Sequence, residues 1–309
     1  MPQNPAVYAH LSEHYLSLPH CRDIGLELLQ TEQRRPTLSI AHRTDLLGRS
    51  DSGTIHGGAI CALVDVASAC AVAAHLPDYE ILATLDMRLD YMHPARSDRP
   101  VLVRATCHRL AGQVAFVRSR CYQEHPDDPI ALATATFMRT PLAATEIQQL
   151  AAAFEQLQRQ PVPFPAPSQT GADFSPDDAR NAATAKLMPY AAFIGLQTGT
   201  DAAGRCYALP YKPGLIGNIF LPALHGGLIG GFMESCAALY LHEQAGLREL
   251  PKMIDFSLDY LRPARAETAY ARCILTRQGS RITNIAVEAW QADEAKPFAV
   301  ARCHFQMPA

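Results

Sequence analysis

The sequence predicts an α+β protein built twice over, each copy a long apolar helix followed by an antiparallel run of strands. Three observations carry this expectation. First, His56-Gly57-Gly58 with Asp65 recurs as His225-Gly226-Gly227 with Glu234, each carboxylate nine positions after its histidine. Second, the same offset, from 56 to 225, maps Asp86 onto Asp255, Leu89 onto Leu258, Asp90-Tyr91 onto Asp259-Tyr260 and Pro94-Ala95-Arg96 onto Pro263-Ala264-Arg265. Third, the breaks between the expected strands are too short for the crossovers that parallel strands require. A period this long, seen twice, reads as a duplicated domain rather than a solenoid, whose repeats run to a few tens of residues.

In the first copy, residues 6–18 are expected to form a short helix ended by Pro19, and 23–39 hold strand-like patches around Gly25. A Gly, Ser and Asp-rich loop at 46–55 feeds the apolar helix that starts near Gly57. Strands are expected at 82–92, 101–109, 114–123 and 130–138 from their Val, Leu, Thr, Phe and Tyr content. The second copy repeats this order, with a short helix at 176–188, the apolar helix at 224–241, and strands at 253–261, 268–277, 282–290 and 298–305. Between the copies, 143–160 is an Ala, Gln and Leu-rich helix candidate, and prolines at 161, 163, 165 and 167 mark a linker. The expected division is a first domain at 1–140, a helical then Pro-rich linker at 141–175, and a second domain at 176–309.

A chain of 309 residues is long enough for two independent cores. A formal net charge of −3 gives no global basic field, so no nucleic-acid partner is expected. The nine cysteines form no CxxC pair, which suggests neither a metal site nor a disulfide framework, and points to a reducing compartment. Residues 1–14 lack the basic and apolar segments of a secretory signal, so a cytoplasmic location is expected. The run 57–76 is long enough to span a bilayer, but Asp65 stands near its middle and no Lys or Arg flanks it. Because the second copy repeats the pattern with Glu234, a helix wrapped by protein is expected, and no membrane span.

A helix start exposes amides that lack an intrahelical acceptor, and its partial positive charge favours a developing oxyanion. Glycine lets a substrate carbonyl approach that backbone. The rise from Gly57 to Asp65 is roughly 12 Å at about 1.5 Å per residue, too far for the acid to share one carbonyl with its own helix start. Two such helices packed antiparallel would solve this. The expected composite sites are therefore Gly57 with Glu234, and Gly226 with Asp65.

The HGG helix start, the acid nine positions after the histidine, and the Asp-Tyr-x-x-Pro-Ala-Arg strand end resemble the hot-dog fold thioesterases. In particular they are similar to the PaaI-like group and to the HGG-containing 4-hydroxybenzoyl-CoA thioesterases. The resemblance covers roughly 19–140 and 189–308. It implies two tandem hot-dog domains, each a long central helix wrapped by an antiparallel sheet, paired as a pseudo-dimer whose active sites use both halves. It also implies roles by position: Gly57 and Gly226 would polarise a thioester carbonyl, and Asp65 and Glu234 would act as nucleophile or general base. His56, His225, Gly58 and Gly227 match the motif and would support that helix start. The family often has Asn or Gln six positions before the motif histidine, where this chain has Ser50 and Ile219, with Asn218 one residue away as a supporting candidate. Some members carry Thr or Ser four positions after the acid, where Ala69 and Ala238 stand here, so the two sites need not be equally active.

The implied activity is hydrolysis of an acyl-CoA or aryl-CoA thioester, with coenzyme A as part of the substrate and no cofactor. A covalent anhydride route and a base-activated water are both open to such a carboxylate. Two competing readings are a non-catalytic acyl-CoA-binding or scaffold protein, and a hot-dog enoyl-CoA hydratase or dehydratase. The latter usually needs an Asp and His pair on a different loop pattern, which this sequence lacks. His56 and His225 are expected to orient the loop rather than act as bases. Arg96 and Arg265 recur at the same point in both copies and are the candidates for coenzyme A phosphates. Cys61 and Cys236 are expected to pack, and Asp86, Asp90, Asp255 and Asp259 to face solvent or cap a sheet edge. Further pairing of double hot dogs into a homo-oligomer is left open.

Overall fold

A computed structural model describes residues 1–96, 98–143, 145–149, 173–218 and 222–307. The chain opens with α1 (Pro5–Ser17), whose first turn is capped by the Asn4 side chain accepting the Val7 N–H. The next helix, α2 (Pro19–Ile24), uses proline at its start and stops at Gly25, whose φ of 72° is readily adopted only by glycine. The second copy reproduces this device in α5 (Pro189–Ile194) and Gly195, with φ 83°. Both short helices fall in stretches for which the sequence reading expected no helix, because six residues are too few to show a period.

After β1 (Leu26–Glu32), β2 (Arg35–Ile40) and a small ribbon of β3 (Leu47–Arg49) and β4 (Thr54–Ile55) comes the apolar helix α3 (Gly57–Ala73). Strands β5 (Glu80–Tyr91), β6 (Val101–Ala111), β7 (Val114–Tyr122) and β8 (Ala131–Pro141) complete the first unit. The second begins with β9 (Ser175–Pro176), α4 (Asp178–Leu187), α5, β10 (Gln197–Asp201) and β11 (Gly204–Leu209). A ribbon of β12 (Ile216–Asn218) and β13 (Ala223–Leu224) then leads into α6 (Gly226–Gln244). Its last strands are β14 (Lys252–Tyr260), β15 (Ala269–Gln278), β16 (Ile282–Trp290) and β17 (Ala299–Gln306). Of the helix expected at 143–160, residues 145–149 are helical and residue 143 is not; residues 144 and 150–160 and the proline run lie outside the described residues.

All thirteen long-sheet strands form one antiparallel sheet in the order β1-β2-β6-β7-β8-β5-β14-β17-β16-β15-β11-β10-β9. The two units join through β5 and β14, with Leu89 opposite Phe256 and Met87 opposite Leu258. Of the four repeated aspartates, Asp259 is exposed and Asp86 and Asp90 are partly exposed, as expected, and Asp255 alone departs from that expectation. All four lie at the centre of the sheet, where Asp255 pairs with Asp90 and Asp259 with Asp86, and Asp255 is buried between His304 Nδ1 at 2.9 Å and Arg88 at 3.4 Å. Strand alternation alone could not tell a seam strand from an edge strand.

Each curved half-sheet wraps one apolar helix, so this is a tandem pair of hot-dog units. Every residue from Gly58 to Ala73 is buried, and each fully buried Val, Leu or Ile there contributes about 1.5 to 3 kcal/mol through the hydrophobic effect. The helices α3 and α6 lie against each other with almost no side chain between them. A Cβ on Gly227 would overlap the Ala62 backbone, and one on Gly230 would overlap Cys61 Sγ. The glycines of the second helix therefore set the helix separation, which in turn brings each acid to the start of the other helix. Among the described residues no helix is long and apolar enough to cross a membrane.

Candidate active site

Both HGG turns start their helices by the same device. His56 Nδ1 accepts the Gly58 N–H at 2.8 Å, and His225 Nδ1 accepts the Gly227 N–H at 3.0 Å. An acceptor Nδ1 leaves the proton on Nε2, which faces Ser235 Oγ at 3.3 Å in one case and Cys21 Sγ at 3.3 Å in the other. Burial pushes His56 down to about 3; burial also lowers His225, with Asp65 pulling the other way. Two neutral imidazoles thus serve as helix caps. Tyr190 from α5 stacks on His56 at 4.4 Å between ring centroids, and His20 from α2 lies 5.3 Å from His225. The short helices that the sequence concealed are what hold the caps in place.

With Gly58 and Gly227 engaged, Gly57 and Gly226 carry the first-turn amides that have no intrahelical acceptor. Glu234 reaches across from α6 to the start of α3. A Cβ on Gly57 would overlap Glu234 Oε1 and come within 2.5 Å of Tyr91 Oη, so a larger residue there would displace the acid and the phenol. Tyr91 Oη donates to Glu234 Oε2 at 3.0 Å. The carboxyl is 5% exposed, and burial raises it from 4.5 to about 8, the Tyr91 hydrogen bond acting in the opposite direction. A cavity of about 480 Å³ opens here, lined by Gly57, Tyr91 and Glu234 and by apolar side chains including Ile60, Leu250 and Met253. Arg49, His93 and Lys252 also line it.

The counterpart acid has the same backbone neighbours and different side-chain neighbours. Asp65 approaches Gly226 and is 8% exposed, but both its oxygens are held: Thr84 Oγ1 donates to Oδ1 at 2.8 Å and the Gly227 N–H to Oδ2 at 3.0 Å. Tyr260, the repeat of Tyr91, donates to the Gly226 carbonyl at 2.7 Å instead of to the acid. The position equivalent to Thr84 is Met253, as their pairings with Phe137 and Phe305 show. A methionine has no hydrogen to donate, so Glu234 keeps an oxygen unclaimed by any hydroxyl from that strand.

The structure therefore brings Gly57 to Glu234 and Gly226 to Asp65. Gly227 and His225 also lie at Asp65, 3.0 and 3.8 Å from its Oδ2. Asn218 is half-buried in the β12–β13 ribbon opposite Ala223, Ser50 is exposed with its N–H on the Leu187 carbonyl, and Ile219 lies outside the described residues. Arg96 and Arg265 are exposed, and their backbone N–H groups donate to Gln123 and Gln291 at 2.9 and 2.8 Å. The Arg96 guanidinium is 2.9 Å from Asp98. Sequence reasoning missed Tyr91 and Thr84. Alternation along the strand puts Tyr91 on the face opposite Asp90, which was the available signal, and the exchange of Thr84 for Met253 within a repeated strand was another.

Comparison with known proteins bears on this geometry. The description "Thioesterase superfamily" matches residues 52–130 and 221–298, one stretch in each repeat and together about half of the chain. The medium/long-chain acyl-CoA thioesterase YigI of Escherichia coli K12 is 28% identical over 134 residues, 39% of this chain and 85% of the relative. Its namesake in Salmonella typhimurium is 29% identical over 136 residues, with the same coverage. A putative thioesterase from Novosphingobium aromaticivorans superposes with a TM-score of 0.59 at 14% identity, covering 91% of this chain and 98% of its own. The TesB protein of Mycobacterium avium subs paratuberculosis does so with a TM-score of 0.58 at 11% identity, covering 93% and 97%. These two share the double hot-dog fold over nearly the whole chain. The chain belongs to the thioesterase superfamily.

Proposed function

We propose that this protein hydrolyses acyl-CoA thioesters, and that it does so at the Glu234 site alone. One observation carries the proposal: Glu234 stands beside the free-amide helix start at Gly57, on a cavity, with one oxygen held by Tyr91. The thioester carbonyl oxygen accepts the Gly57 N–H, where the positive end of α3 stabilises the charge that develops on that oxygen. Glu234 either attacks the carbonyl carbon, forming an anhydride that water then opens, or takes a proton from a water that attacks directly. Either route breaks the C–S bond, releases coenzyme A as the thiol and leaves the free acid. No metal or redox cofactor enters these steps.

The named activity of the Escherichia coli relative supports a medium or long acyl chain, and the apolar walls offered by Ile60, Leu250 and Met253 suit one. Lys252 supplies a cationic group for the phosphates of the carrier, a role the sequence had suggested for Arg96 and Arg265, whereas Arg49 is paired with Asp51 and Glu249 at 2.9 Å each. Asp65, with both oxygens engaged, orders the helix pair. Release of free thiol from a panel of acyl-CoAs tests the reading, with Glu234→Gln as the control for the assigned carboxylate. Binding of every panel member without thiol release would favour a scaffold, and turnover of an enoyl-CoA with the thioester intact would favour a hydratase.

A further inference from the structure

The outer face of the first hot-dog sheet, away from the thioester cavity, carries a concentration of arginines that the fold does not require. Arg104 on β6 and Arg120 on β7 are direct cross-strand partners, and Arg118 pairs with Thr106 one step along the same face. Together with Arg35 and His108 they line a groove of about 640 Å³. Like charges placed opposite each other in a sheet are destabilising. Two carboxylates also line the groove, and neither neutralises it. Asp90 is taken by Arg88 at 2.6 Å, and Asp127 lies 3.4 Å from Arg120 with both side chains half or more exposed. Among the described residues, Arg35, Arg104 and Arg118 have no carboxylate partner.

The second repeat is the internal control. Its strands β15 and β16 have the same register, and the pair at the position of Arg104 and Arg120 is Arg272 with Glu288. Ala286 stands for Arg118, Gly204 for Arg35 and Thr276 for His108. Arg272 is further satisfied by Asp201 and Glu294, each at 2.7 Å, and the one arginine gained on this face, Arg302, faces Ala286. The same sheet thus folds with an opposite-charge pair where the first repeat has a like-charge pair. A multiply charged anion held between the guanidinium groups would convert that repulsion into charge-assisted hydrogen bonds, and planar guanidinium forks match phosphate oxygens.

We infer that the arginine face of the first repeat is a binding site for a small anion carrying two or more phosphate groups. The groove has the volume of a small-molecule site, and the net charge of −3 gives no wider basic field for a nucleic acid to follow. Free polyphosphate and the diphosphate of a nucleotide share the recognised chemistry.

Isothermal titration of the full chain at low salt, with inorganic tripolyphosphate and with ADP as separate probes, tests the site. Saturable one-to-one binding of either is expected, and preference between the two identifies the source of the phosphates. Arg120→Glu, which copies the pair of the second repeat, should weaken binding about tenfold or more while leaving thioester hydrolysis unchanged. Arg118→Ala should weaken it as well, and serves if the first variant does not fold. No saturable binding of either probe, or unaltered affinity in both variants, would overturn the site. Binding of coenzyme A alone, with neither probe bound, would place the phosphates at the thioester cavity and overturn it equally.

Discussion

The two composite sites share a backbone plan and differ in the acid, in what the repeated tyrosine donates to, and in one strand residue. At each, a histidine caps a Gly-Gly helix start and an acid arrives from the opposite helix. At one, Thr84 and the Gly227 amide claim both oxygens of Asp65; at the other, Met253 replaces the threonine, and Glu234 is left with a single phenol donor beside a cavity. The repeated motif therefore sets where a site stands, and the neighbours of the carboxylate set whether it is available for chemistry.

The largest expected effect separating the sites comes from the glycines. Gly57→Ala places a methyl group on the Glu234 carboxylate and Tyr91, so thioester hydrolysis should fall by about 10²-fold or more, whereas Gly226→Ala should cost far less in steady-state rate. Stability should move the other way at Glu234. A carboxyl raised from 4.5 to about 8 costs nothing below the lower value, destabilises progressively as pH rises between them, and destabilises fully above the upper one. Glu234→Gln should therefore stabilise the fold by roughly 3 kcal/mol at neutral pH and by nothing near pH 4, as read by chemical denaturation at both pH values.

A smaller effect sharpens the role of the phenol. Tyr91→Phe removes the hydrogen bond that holds the Glu234 carboxyl down, so the acidic limb of the rate profile should move to higher pH by about one unit, with the Michaelis constant little changed. An unmoved profile would mean that Tyr91 does not govern that carboxylate. The smallest effect on rate belongs to the other site. Thr84→Val leaves an oxygen of Asp65 without its donor and should destabilise by roughly 1 to 2 kcal/mol in thermal or denaturant unfolding, with hydrolysis within about threefold of the parent.

Much of this architecture was legible in the chain. The nine-residue spacing, combined with helical rise, required each acid to serve the other helix, and the glycines of α6 announced close helix contact. What the sequence hid were features decided by partners distant along the chain. Asp255 looked like a surface residue on an alternating strand, yet β14 pairs with β5 and buries it against His304. The caps look alike until α2 and α5 bring His20 and Tyr190 to them. The difference between the acids turns on Thr84 against Met253, nineteen residues from either carboxylate and invisible to any motif around it.

Steady-state thiol release by Asp65→Asn and Glu234→Gln, measured side by side on one medium-chain acyl-CoA, weighs the two sites against each other. Asp65→Asn should retain activity within a few-fold of the parent, and Glu234→Gln should lose it by about 10² to 10⁴. Equal partial losses, or loss through Asp65→Asn alone, would contradict a single working site at Glu234.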